Sequence, residues 1–214
     1  MFNFSGLLRQ PAEYIPGAFD PELVTIKDIE NYFNNHRCTP DELQAISPDS
    51  NDKLGFELHQ RPWRPTYDPD SIENLWDEGF SFILHSPYIN NKVKQTVKTI
   101  ESSNFVSCDA HTYFGKRQSK SFHPHSDDNF NLIVQCAGQS AWRVWGITTS
   151  ESGIFPNLEE DPIIKVIMNP GDALLVPKGQ IHQAEPLTDR ISVSFPFVPG
   201  PKTIRKDMRF SWDD

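Results

Sequence analysis

The amino-acid sequence predicts a mainly β fold with flanking helices. Three observations carry the prediction: a series of short apolar runs between residues 105 and 198, turn signatures between those runs, and 18 prolines in 214 residues. Short β-prone runs broken by Gly, Pro, Asn and Asp build antiparallel sandwiches or barrels. Frequent proline suits loops and strand ends better than a helical bundle. The length fits one compact domain around a single core.

The helical signals come first along the chain. Ile26, Ile29 and Phe33 fall at i, i+3 and i+7, with Thr25 and Asp28 placed to cap the start. Thr39 to Thr66 is rich in Pro, Asp, Asn and Ser and reads as loop with at most one short helix. Asp70-Ser-Ile-Glu73 has the form of a capping box, opening a helix through Trp76 that Gly79 ends. Phe80 to Leu84 has the composition of a strand. Val93, Val97 and Ile100 mark another amphipathic helix, bounded by Asn90-Asn91 and Ser102-Ser103-Asn104.

From Phe105 onward the signal is strand. The runs are Phe105 to Phe114, Asn129 to Cys136 with Gly138 turning after it, Ala141 to Trp145, Ile163 to Met168, Ala173 to Val176, and Ile191 to Phe197. Asn169-Pro-Gly-Asp172 and Pro177-Lys-Gly179 are the strongest turns among them. Residues 1–104 therefore form a helical and loop flank packed on a 105–198 core. Residues 199–214 form a short polar tail, and the whole reads as one structural unit.

Composition narrows the function classes. The formal charge is −9, and no basic cluster exceeds short pieces such as Lys116-Arg117, which argues against an extended nucleic-acid surface. Cys38, Cys108 and Cys136 are few, odd in number and widely spaced, so neither a disulfide framework nor a zinc knuckle is expected. Met1 to Leu8 lacks the pattern of a signal peptide, and no apolar run is long enough to span a bilayer. The expectation is a cytoplasmic protein with no membrane partner, its oligomeric state open.

The chemistry is carried by His125-Ser-Asp127. On an extended backbone, residues i and i+2 share a face. His182 supplies a third ligand from a distant strand, just after the Pro177-Lys-Gly179 turn. Two imidazoles and one carboxylate form the facial set of non-haem iron(II) oxygenases, leaving positions for a cosubstrate and O2. His123 also lies two residues before His125, but only His125 has a carboxylate partner at i+2. His36, His59 and His85 have no supporting spacing.

The stretch Phe122-His-Pro-His125-Ser-Asp127-Asp-Asn-Phe-Asn131-Leu-Ile-Val-Gln135-Cys-Ala-Gly138-Gln-Ser-Ala-Trp142-Arg-Val resembles the core of JmjC-type, cupin-fold hydroxylases. That group includes asparaginyl hydroxylases and ribosomal-protein oxygenases. Pro170-Gly-Asp172, Pro177 and His182 are similar to the family's second half, and Leu75-Trp-Asp-Glu-Gly79-Phe-Ser-Phe to its pre-barrel segment. The resemblance covers roughly residues 70–198 and implies a double-stranded β-helix, the cupin or jelly-roll barrel. It further implies iron(II) at His125, Asp127 and His182. 2-Oxoglutarate would be the cosubstrate, converted to succinate and CO2, with Asn131 near its C1 carboxylate.

One position departs from the family. Two residues after the Gln-x-x-Gly glycine a Lys or Arg usually pairs with the far carboxylate of 2-oxoglutarate, and here that position is Ser140. A serine hydroxyl can donate a hydrogen bond but supplies no charge. Arg190 is the candidate replacement. Alternation sets Arg190, Ser192 and Ser194 on one face of the last strand and Ile191, Val193 and Phe195 on the other. Arg-x-Ser resembles the 2-oxoglutarate clamp of other oxygenase branches; the alternative is a solvent-facing polar edge. Lys120 is a second candidate cation. Tyr113, which shares a face with His111, contacts cosubstrate or substrate, or packs with its hydroxyl at the barrel edge. Gln135 matches a family glutamine or satisfies backbone groups. Trp142, Trp145, Phe130 and Phe155 are expected in the core.

The reading is an Fe(II)/2-oxoglutarate-dependent hydroxylase acting on a protein side chain or a small molecule. The alternative is a cupin dioxygenase, isomerase or decarboxylase that uses the metal without 2-oxoglutarate. A metal-free binding module is the third possibility.

Overall fold

A computed structural model describes residues 3–36, 38–39, 42–46, 53–54, 69–86, 88–117, 119, 121–150 and 152–200. In chain order the elements are β1 (Glu13–Ile15), α1 (Ile26–Asn35), β2 (Leu43–Ile46), β3 (Lys53–Leu54), α2 (Pro69–Asp77), β4 (Ser81–His85) and α3 (Asn91–Asn104). The β-rich part follows with β5 (Val106–Cys108), β6 (His111–Gly115), β7 (His125–Ser126), β8 (Phe130–Ala137), β9 (Ser140–Thr148) and β10 (Gly153–Ile154). It closes with β11 (Ile164–Met168), β12 (Ala173–Val176), β13 (Gln180–Pro186) and β14 (Arg190–Pro199).

The strands form two antiparallel sheets. The larger runs β1-β12-β8-β14-β6-β4-β2-β3, with β5 also paired to β14; the smaller runs β10-β7-β13-β9-β11. Facing each other, they make the double-stranded β-helix that the resemblance implied.

The helices begin where their caps dictate. Thr25 and Asp28 form a reciprocal capping box at the start of α1, and the Asn90 side chain accepts from the Val93 N–H at the start of α3. Val93, Val97 and Ile100 are buried as the α3 periodicity requires, whereas Ile26 is exposed. Helix α2 opens at Pro69, so Asp70 lies inside it rather than at its N-cap. Proline at a first helical position costs nothing, because its missing N–H would have had no intrahelical partner. Gly79, at φ 87°, ends α2 in the left-handed region, and the Phe80 N–H returns to the Leu75 carbonyl.

Several expectations need correction. Thr39 to Thr66 is not simply loop: Leu43–Ile46 pairs residue for residue with β4, because Leu43 and Ala45 alternate onto the buried face. The rest of that segment, 40–41, 47–52 and 55–66, lies outside the described residues, as does the 201–214 part of the tail. Phe105 to Phe114 is two strands. Asp109 breaks the run by accepting from the Ala110 N–H and donating its own N–H to Pro196 O. Strands β1, β10 and most of β13 carry too few apolar residues to be seen by pattern.

Strand β14 explains how the core divides. Ile191, Val193, Phe195 and Phe197 pack with the helices in one apolar cluster. Leu132, Val134 and Cys136 of β8 join the same cluster, whereas Ile133, Trp142, Val144, Met168, Leu174, Val176 and Ala184 fill the space between the sheets. Strict period-two alternation thus gives the larger sheet two buried faces. Its inner face, near β7, is polar. The Asn169–Asp172 turn is tied to the N-terminal flank: Asp172 accepts from the Tyr14 hydroxyl at 2.8 Å and from the Gly17 N–H at 2.9 Å.

Candidate metal centre

His125 and His182 are directly opposed on β7 and β13. Opposed residues on neighbouring strands project to the same face, and the two imidazole centroids lie 4.4 Å apart. Asp127 follows β7 immediately, and its carbonyl accepts from the Gly179 N–H at 2.9 Å. Gly179 sits at φ 74°, and a Cβ there would collide with the Thr149 carbonyl oxygen. The glycine of Pro177-Lys-Gly179 is therefore required by backbone close approach, and it fixes the main chain of a candidate ligand.

The three side chains present donor atoms within 4.8 Å of one another. Asp127 Oδ1 is 3.9 Å from His125 Nε2, and Oδ2 is 3.6 Å from His182 Nε2. Each histidine donates its Nδ1–H to the carbonyl two residues earlier: His125 to His123 and His182 to Gln180, both at 2.9 Å. A carbonyl only accepts, so Nδ1 carries the proton and the Nε2 lone pair is left for an ion. Burial, followed by the neighbouring His125, pushes His182 down to about 4, so its imidazole is neutral at physiological pH.

Asn131 reaches the carboxylate from β8. Its Nδ2 donates to Asp127 Oδ2 at 2.7 Å, while its own Oδ1 accepts from Ser194 Oγ and from Asn129 Nδ2, each at 3.0 Å. The donor set suits a divalent transition ion of the iron class, with two neutral nitrogens and one carboxylate on one side of an open space.

Two cavities meet at this triad. The outer one, about 430 Å³, is bordered by His85, His111, Tyr113, Phe122 and Ile154 as well as His125 and Asp127. The inner one, about 50 Å³, is bordered by Ile133, Trp142, Ala184, Arg190, Ser192 and Ser194. Arg190 is 3 % exposed, and Ser192 and Ser194 are similarly buried, so the polar face of β14 is not solvent. Arg190 makes no ion pair among the described residues, and its Nε has no hydrogen-bond partner there. Burial lowers it to about 10, partly offset by Tyr113. The same burial raises Tyr113, with Asp127 adding to the effect, so the phenol stays protonated.

The remaining candidates divide. Tyr113 borders both cavities. Ser140 is fully buried, its hydroxyl without a partner among the described residues, and it is not among the inner-cavity lining. Lys120 lies outside the described residues. Gln135 donates to Ala137 O at 2.7 Å, a backbone role. Trp145, Phe130 and Trp142 are packed, but Trp142 also walls the inner cavity with its ring nearly parallel to His182. Sequence reasoning missed His85, Asn129 and Ile154. Only the fold brings His85 and Ile154 to the site, whereas Asn129 continues the i+2 spacing of His125 and Asp127.

A family profile for the JmjC domain matches residues 83–203, more than half of the chain. Ribosomal oxygenase 1 of Danio rerio is 26% identical over 215 residues, covering 96% of this chain and 37% of that protein. Ribosomal oxygenase 1 of Gallus gallus is 30% identical over 155 residues, covering 68% and 25%. A bifunctional lysine-specific demethylase and histidyl-hydroxylase, NO66 of Drosophila persimilis, is 34% identical over 125 residues, covering 54% and 18%. In structure, the chain is similar to the Escherichia coli ribosomal oxygenase YcfD, with a TM-score of 0.63 at 15% identity over 89% of this chain and 49% of that one. A second YcfD structure, in complex with cobalt and 2-oxoglutarate, gives 0.61 at 16% identity over 94% and 52%. Fold and site together are those of a cupin-type barrel with a candidate metal triad. The chain belongs to the JmjC domain family, and it spans 37% or less of the curated relatives named here.

Proposed function

We propose that this chain is an Fe(II)- and 2-oxoglutarate-dependent oxygenase that hydroxylates a protein side chain. The observation that carries the reading is the junction of two features. A triad with pinned imidazoles opens onto a cavity that is also bordered by Arg190, buried and without an ion pair among the described residues. An isolated buried cation is costly unless a ligand supplies its counter-charge. A dicarboxylate with one end at the metal and the other at Arg190 satisfies both.

His125, Asp127 and His182 would hold iron, which supplies O2 activation coupled to oxidative decarboxylation of the oxoacid. Arg190 would pair with the far carboxylate, and Ser192 would donate beside it. The protonated Tyr113 hydroxyl would donate a hydrogen bond from the shared wall. Asn131 fixes Asp127 and stands beside the place where the C1 carboxylate is expected. Ile133, Ala184 and Trp142 form the apolar wall that keeps water from the inner cavity. A protein substrate is supported by the relatives' names, ribosomal oxygenase and histidyl-hydroxylase.

The test is succinate release by purified protein given iron, ascorbate and 2-oxoglutarate. His125→Ala and Asp127→Ala should abolish it, and undiminished release in those variants would sink the proposal. Ser140 sustains a second reading, a cupin metalloenzyme that does not use 2-oxoglutarate. Tight iron binding without a visible charge-transfer band on anaerobic addition of 2-oxoglutarate would select it.

A further inference from the structure

The smaller sheet ends at β10, and β10 borders the outer cavity. Ile154 lies directly opposite His125, and Gly153 opposite Ser126. The Phe155 N–H donates to Pro124 O at 2.7 Å, toward the β7 side. Peptide groups along an extended strand point alternately to its two sides. The N–H and C=O of Ile154 therefore point away from β7. Among the described residues neither group meets a partner, and the Ile154 side chain is 69 % exposed.

We propose that β10 is the docking edge for the protein substrate, which adds to the sheet as an extended segment. The inference rests on the oxygenase reading above for its claim that a protein is the substrate. An added strand lies about 4.8 Å beyond β10. Its residue opposite Ile154 exchanges both backbone hydrogen bonds with Ile154 and projects to the face shared by Ile154 and His125. That face is the outer cavity, so backbone pairing alone delivers one side chain toward the triad. A cavity of about 430 Å³ accepts a side chain, whereas a whole helix about 10 Å across does not fit it. Main-chain pairing at a sheet edge supplies affinity without demanding a particular sequence.

The experiment uses the full chain loaded with manganese(II) and 2-oxoglutarate under anaerobic conditions. The probes are Ac-Thr-Val-Xaa-Val-Thr-NH2 with Xaa His, Asn, Arg or Lys. Each is made unmodified, N-methylated at Xaa, or N-methylated at the next residue. Edge addition in this register predicts that methylation at Xaa weakens binding about tenfold, the worth of one hydrogen bond near the top of its range. Methylation one residue later should change it less than about twofold, because that N–H points away from β10. Ile154→Pro, which removes the outward N–H, should match the first loss, and Ile154→Val should not. Equal effects of the two methyl positions overturn the proposal. So does unchanged binding by Ile154→Pro, or no binding of any probe at millimolar concentration. Concentration-dependent dimerisation that Ile154→Pro abolishes would assign the edge to a second copy and likewise overturn it. Register-dependent binding with no succinate formed under aerobic iron turnover would instead remove the oxygenase reading and leave the docking edge.

Discussion

Asn131 donates a 2.7 Å hydrogen bond to Oδ2 of Asp127, and Ser194 holds Asn131 in the orientation that makes this possible. The carboxylate is thereby presented in one rotamer, with Oδ1 toward His125. Asn131→Ala should weaken manganese(II) binding about 10- to 100-fold, the usual cost of losing a partner of a metal ligand. Ser194→Ala should weaken it by a smaller factor, and Ser194→Thr should keep the parent affinity. Anaerobic titration followed by electron paramagnetic resonance reads all three.

Arg190 predicts two effects of opposite sign. Arg190→Met should raise the KM for 2-oxoglutarate by about 10- to 100-fold, since hydrogen bonds to charged groups contribute about 1.5–3 kcal/mol. The same change should raise the Tm of the ligand-free protein, because a buried charge with no carboxylate partner among the described residues is removed. A Tm below the parent's would show that Arg190 is compensated inside the fold. Adding Ser140→Lys to Arg190→Met should recover part of the oxoacid affinity, because a lysine there starts on the strand face that Trp142 shares and is long enough to extend along it.

His182 makes the metal-free protein sensitive to acid. Its folded value, about 4, lies below the usual 6.5. Between these values the unfolded chain binds more protons than the native one, so stability falls as pH drops through this window and is complete above it. Urea midpoints of the metal-free protein should decline from about pH 6.5 toward pH 4. In His182→Gln that part of the slope should vanish.

Gly179→Ala should cost about 2 kcal/mol or more, combining positive φ with a clash against the Thr149 carbonyl. Because the Gly179 N–H holds the Asp127 carbonyl, manganese(II) affinity should fall with it. Thermal unfolding and metal titration of one sample separate the two losses.

The triad was legible because its chemistry is local twice over: His125-x-Asp127 shares a face by backbone period, and His182 follows a turn that glycine and proline announce. The two-faced character of β14 was legible from alternation. What alternation could not give was burial of the polar face, which depends on the smaller sheet lying across it. The edge strand at Gly153–Ile154 was invisible for a related reason. Two residues carry no period, and their role comes from pairing with β7. The Asn169–Asp172 turn carries part of the family resemblance. Its aspartate is engaged in stitching Tyr14 and Gly17 to the barrel, a contact spanning 158 residues that no local pattern encodes.

The alternation of β14 has a consequence for how this chain can vary. Inserting or deleting a single residue between Arg190 and Phe195 would turn the strand over, since side chains change face with every step. Three aliphatic or aromatic groups would then fill the inner cavity, and a guanidinium and two hydroxyls would be driven into the apolar cluster that includes α1 and α3. Point substitutions here are graded in effect, but a change of length is all-or-none. The last strand therefore behaves as a reading frame, in which core and chemistry are written on alternate letters.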